Sequence, residues 1–283
     1  MKGAPLVIAL TLLACHGAAR SRPAPNAFAE GVVEAGGVAL HVLCMGHGSP
    51  TVVFDAGLGN TGAIWKDVQP AVSRVTKACV YDRAGLGESG PAPRPHTSRQ
   101  MVDELHAVLE QANLPGPHVL VGHSLGGLNM RLYATHYGAS GLIFLDATSE
   151  DQDSRFWSLL PPEAMVGFRE MLRESDEGLD YDAFLASLAQ VRAARRSLAN
   201  VPLIVMTHGR PDPPPLGVSP EQAADLERAW SSLQSDQRRF SSNAIQIVVP
   251  NSGHFIQVDA PDVVVAAILR VVASSRTREP LEP

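Results

Sequence analysis

From residue 31 onward the chain alternates short apolar runs with segments whose apolar residues return every three or four positions. The runs are "VALHVLCM", "TVVFDA", "ACVYD", "HVLVG", "GLIFLD", "PLIVM" and "IQIVV". Each has the length of a buried strand, and several end in glycine-containing turns. Between the third and fourth runs, Val102, Leu105, Val108, Leu109 and Ala112 fall on one helical face. Thr97 or Ser98 can cap the start of that helix, and Pro115 ends it. A second helix follows Ser124 directly, with Leu125, Leu128 and Leu132 on one side, and a last one spans Pro261 to about Ser274. Strand and helix in alternation specify an α/β protein with a mostly parallel sheet covered on both faces.

One insertion breaks the rhythm. Residues 147–200 hold no strand-like run but carry three helical patterns, with Phe156, Trp157, Leu160, Met165, Phe168 and Met171 as an apolar side. One crossover rarely needs that length. The reading is a helical cap over the carboxyl edge of the sheet, set between core segments 31–146 and 201–275.

The first thirty residues behave differently. Lys2 precedes the apolar "PLVIALTLLA", which is followed by the small residues Gly17, Ala18 and Ala19 and the polar "RSRPAPN". This is the pattern of a secretory signal and leader over 1–30, with cleavage after Ala19. "LLAC" also resembles a lipoprotein signal in which Cys15 takes a lipid anchor. The chain is thus expected to be exported to the periplasm or beyond. Export leaves Cys44 and Cys79 either as a disulfide or as two buried thiols.

Composition narrows the chemistry further. The 283 residues are 45% hydrophobic and 18% charged, with a formal net charge of −6. Arg192, Arg195 and Arg196 have the spacing of a solvated helix face, so nucleic acid is not expected as a partner. The ten histidines include no H-E-x-x-H pair, and no metal site or cofactor is read.

Two glycine-rich stretches compete for the chemistry. Gly57 to Gly62 spell G-x-G-x-x-G, and Asp82 follows at the distance of a ribose-binding acid in a dinucleotide fold. Against that reading, Asp55 stands two residues before Gly57, at the mouth where a pyrophosphate would sit, and Asp82 runs straight into the tight turn "RAGLGES". The other stretch is "HVLVGHSLGGL", where a buried strand meets Gly122-His123-Ser124-Leu125-Gly126 and then a helix. A strand-turn-helix this sharp strains its central residue, and the flanking positions must be glycine to avoid collision. The serine oxygen is then exposed beside the positive end of a helix. A serine needs a base, usually histidine. His254, in "PNSGHF", follows a strand and lies C-terminal to Ser124, whereas His123 sits on the turn itself and reads as packing. The acid that orients the base is Asp146, ending "GLIFLD", or Asp212, following "PLIVM"; Asp82 precedes the serine, against the expected order.

From about Val32 to Ala273 the sequence resembles an α/β-hydrolase fold protein, most specifically in "FDAGLG", "VYDRAGLGESG", "GHSLGG" and "SGHFIQVDAP". The resemblance implies an eight-stranded sheet, Ser124 as nucleophile, His254 as base, and an oxyanion hole from the N–H groups of Leu125 and Leu58. It places the acid most often after the seventh strand, at Asp212, and in a minority after the sixth, at Asp146. Three prolines follow Asp212 directly, and "LDATSEDQ" resembles the minority subgroup, so Asp146 is preferred. The expected activity is ester hydrolysis on a small to medium, partly apolar substrate. A lactonase, an amidase, a C–C bond hydrolase and a non-catalytic member of the fold stay open.

Overall fold

A computed structural model describes residues 29–214 and 217–282; residues 1–28, which hold all but the last two residues of the expected signal and leader, with Cys15 and Ala19, lie outside them, and Glu30 already belongs to the first strand. Eight strands form one sheet: β1 (Glu30–Ala35), β2 (Val38–Met45), β3 (Val52–Asp55), β4 (Ala78–Tyr81), β5 (Val119–His123), β6 (Gly141–Leu145), β7 (Leu203–His208) and β8 (Ala244–Val249). Their spatial order is β1-β2-β4-β3-β5-β6-β7-β8. β2 runs antiparallel to both β1 and β4, and every other neighbouring pair is parallel.

The central strands are apolar on both faces because both faces are covered. Alternate residues divide between two cores: Val53, Leu120 and Phe144 belong to one, Phe54, Val121 and Ile143 to the other. The helices are α1 (Gln69–Ser73), α2 (Ser98–Gln111), α3 (Leu125–Tyr137), α4 (Gln152–Arg155), α5 (Pro162–Glu174), α6 (Tyr181–Ala193), α7 (Pro220–Gln237), α8 (Ile256–Asp259) and α9 (Pro261–Thr277). Residues of α2, α3 and α6 pack in the first core, those of α1 and α9 in the second. Strand order reverses where β3 meets β5. A crevice opens outside the carboxyl ends of the strands at such a switch point.

Two elements depart from the sequence pattern. β1 is an edge strand whose burial alternates weakly, so it lacks an apolar run. α7 fills the stretch after the proline-rich loop; of its eighteen residues only Leu226, Trp230, Leu233, Gln234 and Gln237 are buried, which leaves a faint apolar stripe. Cys44 and Cys79 face each other across β2 and β4 and form a disulfide, which resolves the alternative between a bridge and free thiols.

Candidate active site

The turn after β5 is forced by its glycines. Ser124 has φ 52° and ψ −120°, a conformation costly for a side-chain-bearing residue. A Cβ on Gly122 would lie 2.5 Å from the Gly126 carbonyl oxygen, and one on Gly126 would lie 2.4 Å from that of Asp55. No larger residue fits either place. The turn is held by Ser124 N–H donating to the Leu145 carbonyl at 3.1 Å, and by Gly127 and Thr148 N–H both donating to the Ser124 carbonyl at 3.0 Å. Ser124 therefore stands at the N-terminus of α3, facing the crevice.

His254 comes from the loop between β8 and α8. Its Nδ1–H donates to Asp146 Oδ2 at 2.7 Å. Asp212, the alternative acid, instead accepts the His254 main-chain N–H at 3.3 Å. The structure thus brings Asp146 to the imidazole and Asp212 to the backbone behind it. Asp146 is fully buried. Its Oδ1 accepts Trp230 Nε1–H at 2.9 Å and the His208 main-chain N–H at 3.3 Å, and its Oδ2 accepts a second imidazole, His208 Nδ1–H, at 2.7 Å. Burial alone would raise its pKa, but the two imidazoles outweigh burial and hold it well below the ordinary carboxylate range.

Ser124, His254 and Asp146 line one cavity of about 780 Å³. Its walls are largely apolar: Phe156, Phe168, Met171 and Phe184 from the insertion between β6 and β7, with Leu226 and Trp230 from α7. Leu58 and Leu125 line it beside the serine. Among the described residues, neither of their N–H groups has a hydrogen-bond partner, so both are available to an incoming oxygen.

The loop carrying Leu58 is fixed from beneath by a buried ion cluster. Arg83 pairs with Asp55 and with Glu177, and its guanidinium donates to the carbonyls of Ala56 and Gly57, both at 2.6 Å. Glu177, between α5 and α6, also accepts the Gly59 N–H. Removing one member of such a cluster costs about 3–5 kcal/mol, because a buried charge is left unpaired. Gly57 packs onto the serine turn, since a Cβ there would sit 2.9 Å from His123 Nδ1. Asp55 is buried on Arg83 and not at the mouth of the loop. Asp82 accepts from Gly62 N–H at 2.7 Å and Glu88 N–H at 3.2 Å. Both acids that a dinucleotide would meet are engaged by the protein itself. Among the described residues no group of three or more His, Cys, Asp or Glu is arranged to hold a metal ion.

Two histidines do more than their sequence context suggests. His123 Nε2–H donates to the His254 carbonyl at 2.9 Å and so ties the serine turn to the loop of His254. His208, at the end of β7, shares Asp146 with His254 and meets Glu227 of α7 through Nε2 at 3.1 Å. Neither role has a local signal, because the partners lie far away in sequence.

These two rings pull stability in opposite directions with pH. Burial, helped by the neighbouring His254, pushes His123 down to about 3. Burial opposes charge at His208 too, but the hydrogen bonds and charges of Asp146 and Glu227 prevail and push it up to about 9. Both rings titrate near 6.5 when unfolded. His123 must be neutral in the fold, so its part is present above about 6.5 and is lost as pH falls toward 3. His208 must be charged, so its part is full below about 6.5 and is lost as pH rises through about 9. Urea unfolding at pH 4, 6.5 and 9 is expected to give the highest midpoint at 6.5, with the alkaline fall abolished in His208→Asn. A midpoint unchanged between 6.5 and 9 would refute the His208 assignment.

Residues 47–267 match the family model described as the alpha/beta hydrolase family. The chain is 30% identical to YqjL, an uncharacterized protein of Bacillus subtilis (strain 168), over 80% of this chain and 85% of that one. Two other curated relatives are longer, and the chain spans 39% and 26% of their lengths. Among solved structures, a thermophilic esterase from Thermogutta terrifontis superposes with a TM-score of 0.59 at 20% identity, covering 87% of this chain and 98% of that one. Est816, described as an N-acyl homoserine lactone degrading enzyme, superposes with a TM-score of 0.61 at 20% identity, covering 84% of this chain and 99% of that one. At these identities the two structures speak for the fold.

Proposed function

This chain belongs to the alpha/beta hydrolase family, and from that premise we propose that it is an exported serine hydrolase that cleaves carboxylic esters of small to medium, partly apolar acids. The observation that carries the reading is the 2.7 Å bond from His254 Nδ1–H to Asp146, with Ser124 and His254 opening onto the same cavity. A ring that donates at Nδ1 is left with its Nε2 lone pair as a base.

In the mechanism, His254 Nε2 takes the Ser124 proton as the oxygen attacks the ester carbonyl. The C=O bond opens to an oxyanion, received by the N–H groups of Leu58 and Leu125. One such donor contributes about 3–4 kcal/mol to the transition state, which gives the Arg83 cluster beneath the loop its purpose. Collapse of the oxyanion expels the alcohol, which takes the proton from His254. Water then repeats the sequence on the acyl-serine and releases the acid. Asp146 stays ionised throughout and stabilises the imidazolium that forms.

The apolar walls favour an acyl chain. The Gln152 side chain is 8% exposed on the cavity wall, and its Oε1 has no partner among the described residues. Export is supported by the signal-like leader and by the Cys44–Cys79 disulfide, a bond that persists in oxidising compartments; a lipid on Cys15 would hold the mature protein at a membrane.

The test is turnover of p-nitrophenyl esters from acetate to decanoate by the purified chain. A rate optimum at intermediate length is expected. No turnover above the Ser124→Ala background on any ester would overturn the reading. The lactone-degrading neighbour makes cyclic esters a second class to include in the screen.

A further inference from the structure

We propose that His208 is a positioning residue of this site: clamped as an imidazolium between Asp146 and Glu227, it offsets the negative charge that Asp146 presents to His254 and thereby sets where His254 begins to act as a base. The inference rests on the hydrolase reading and deepens it.

Geometry alone fixes the charge of His208. Its Nδ1 lies 2.7 Å from Asp146 Oδ2, and its Nε2 lies 3.1 and 3.2 Å from the two Glu227 oxygens. An ionised carboxylate only accepts hydrogen bonds, and a neutral imidazole has only one N–H. Both nitrogens of His208 therefore carry protons. His254 differs, because one nitrogen meets Asp146 while the ring opens onto the cavity with Ser124. Both rings thus share one carboxylate oxygen, Asp146 Oδ2.

The consequence is a restraint on His254. An uncompensated buried carboxylate holds the proton of an imidazole bonded to it more tightly, and a protonated ring cannot accept the serine proton. A neighbouring imidazolium weakens that hold. The charged groups around His208 are few. Asp146 directly follows β6 and Glu227 comes from α7, where Trp230 stacks on the His208 ring at 6.4 Å and 19°. The adjoining β8 carries no titratable residue. On the loop after β7, Arg210 pairs with Asp259 and Asp212 accepts the His254 N–H. On α7, Arg228 pairs with Asp225 at the surface. Glu227 is thus the acid that keeps His208 charged without also serving His254.

The test compares His208→Asn, which retains a neutral N–H donor for Asp146, with Glu227→Gln, which removes only the distal charge. Two like charges roughly 5 Å apart near a protein surface shift one another by about two pH units. The acid limb of kcat/KM is expected to move up by about that amount in His208→Asn, with a loss of about tenfold or less on the plateau. In ¹⁵N-histidine NMR, His208 should be doubly protonated at pH 7 in the parent, and should lose its proton at lower pH in Glu227→Gln. Profiles of both variants that superimpose on the parent after scaling, or a neutral His208 ring at pH 7, would overturn the proposal. If no ester is turned over, the hydrolase reading fails on its own. The His254 resonance then still decides the clamp, which stands if its midpoint rises in His208→Asn and falls if it does not.

Discussion

Ser124→Ala is expected to lower kcat/KM on an ester that the parent hydrolyses by about ten-thousand-fold or more, with the urea midpoint little changed. The size of the effect follows from the mechanism: without the oxygen no acyl intermediate forms, and only binding and the N–H groups of Leu58 and Leu125 remain. Stability should survive because the strain at residue 124, φ 52°, is held by main-chain bonds to Leu145, Gly127 and Thr148, none of which uses the side chain. A fall of less than about tenfold, in a variant shown to be folded, would place the nucleophile elsewhere.

The second large effect separates the two candidate acids. Asp146→Asn should cost about a thousand- to ten-thousand-fold in kcat/KM. An amide cannot accept both imidazole N–H groups as a charged oxygen does, and presenting its own N–H would turn the His254 ring to the wrong tautomer. Asp212→Asn should cost about tenfold or less, because among the described residues the carboxylate accepts only the His254 main-chain N–H, at 3.3 Å, a bond that an amide oxygen reproduces. The same pair of variants measured side by side decides the assignment. Equal losses, or the larger loss at Asp212, would reverse it.

Much of the fold was legible because its signals are local. Seven of the strands are short apolar runs, and the turn at Ser124 announces itself through Gly122 and Gly126, which the backbone of Gly126 and Asp55 leaves no room to replace. The carboxyl-edge positions of Asp146, Asp212 and His254 followed from strand ends. What the residues left open was the choice between acids, because both sit at suitable ends and only three-dimensional placement shows which one faces the ring. The glycine fingerprint from Gly57 to Gly62 shows the same limit. Its spacing fits a dinucleotide loop, yet Asp55 is buried on Arg83 and Asp82 is bonded to Gly62 and Glu88.

The parts that escaped are those built from distant partners. Arg83 reads in sequence as one residue of a turn, but it joins Asp55 to Glu177 of the insertion, 94 residues away. His208 meets Asp146 across 62 residues and Glu227 across 19, with no spacing to betray either. α7 escaped for another reason: it buries few residues and follows a proline-rich loop, so its contribution of Trp230 and Glu227 to the site has no periodic signature.

The most direct measurement is active-site labelling. A fluorophosphonate phosphorylates a serine only where a base activates it and an oxyanion site receives the phosphoryl oxygen. Intact mass and peptide mapping after treatment should show one adduct, on Ser124, abolished by Ser124→Ala and strongly slowed by Asp146→Asn. No adduct on a folded protein, or an adduct on another residue that persists in Ser124→Ala, would contradict the account.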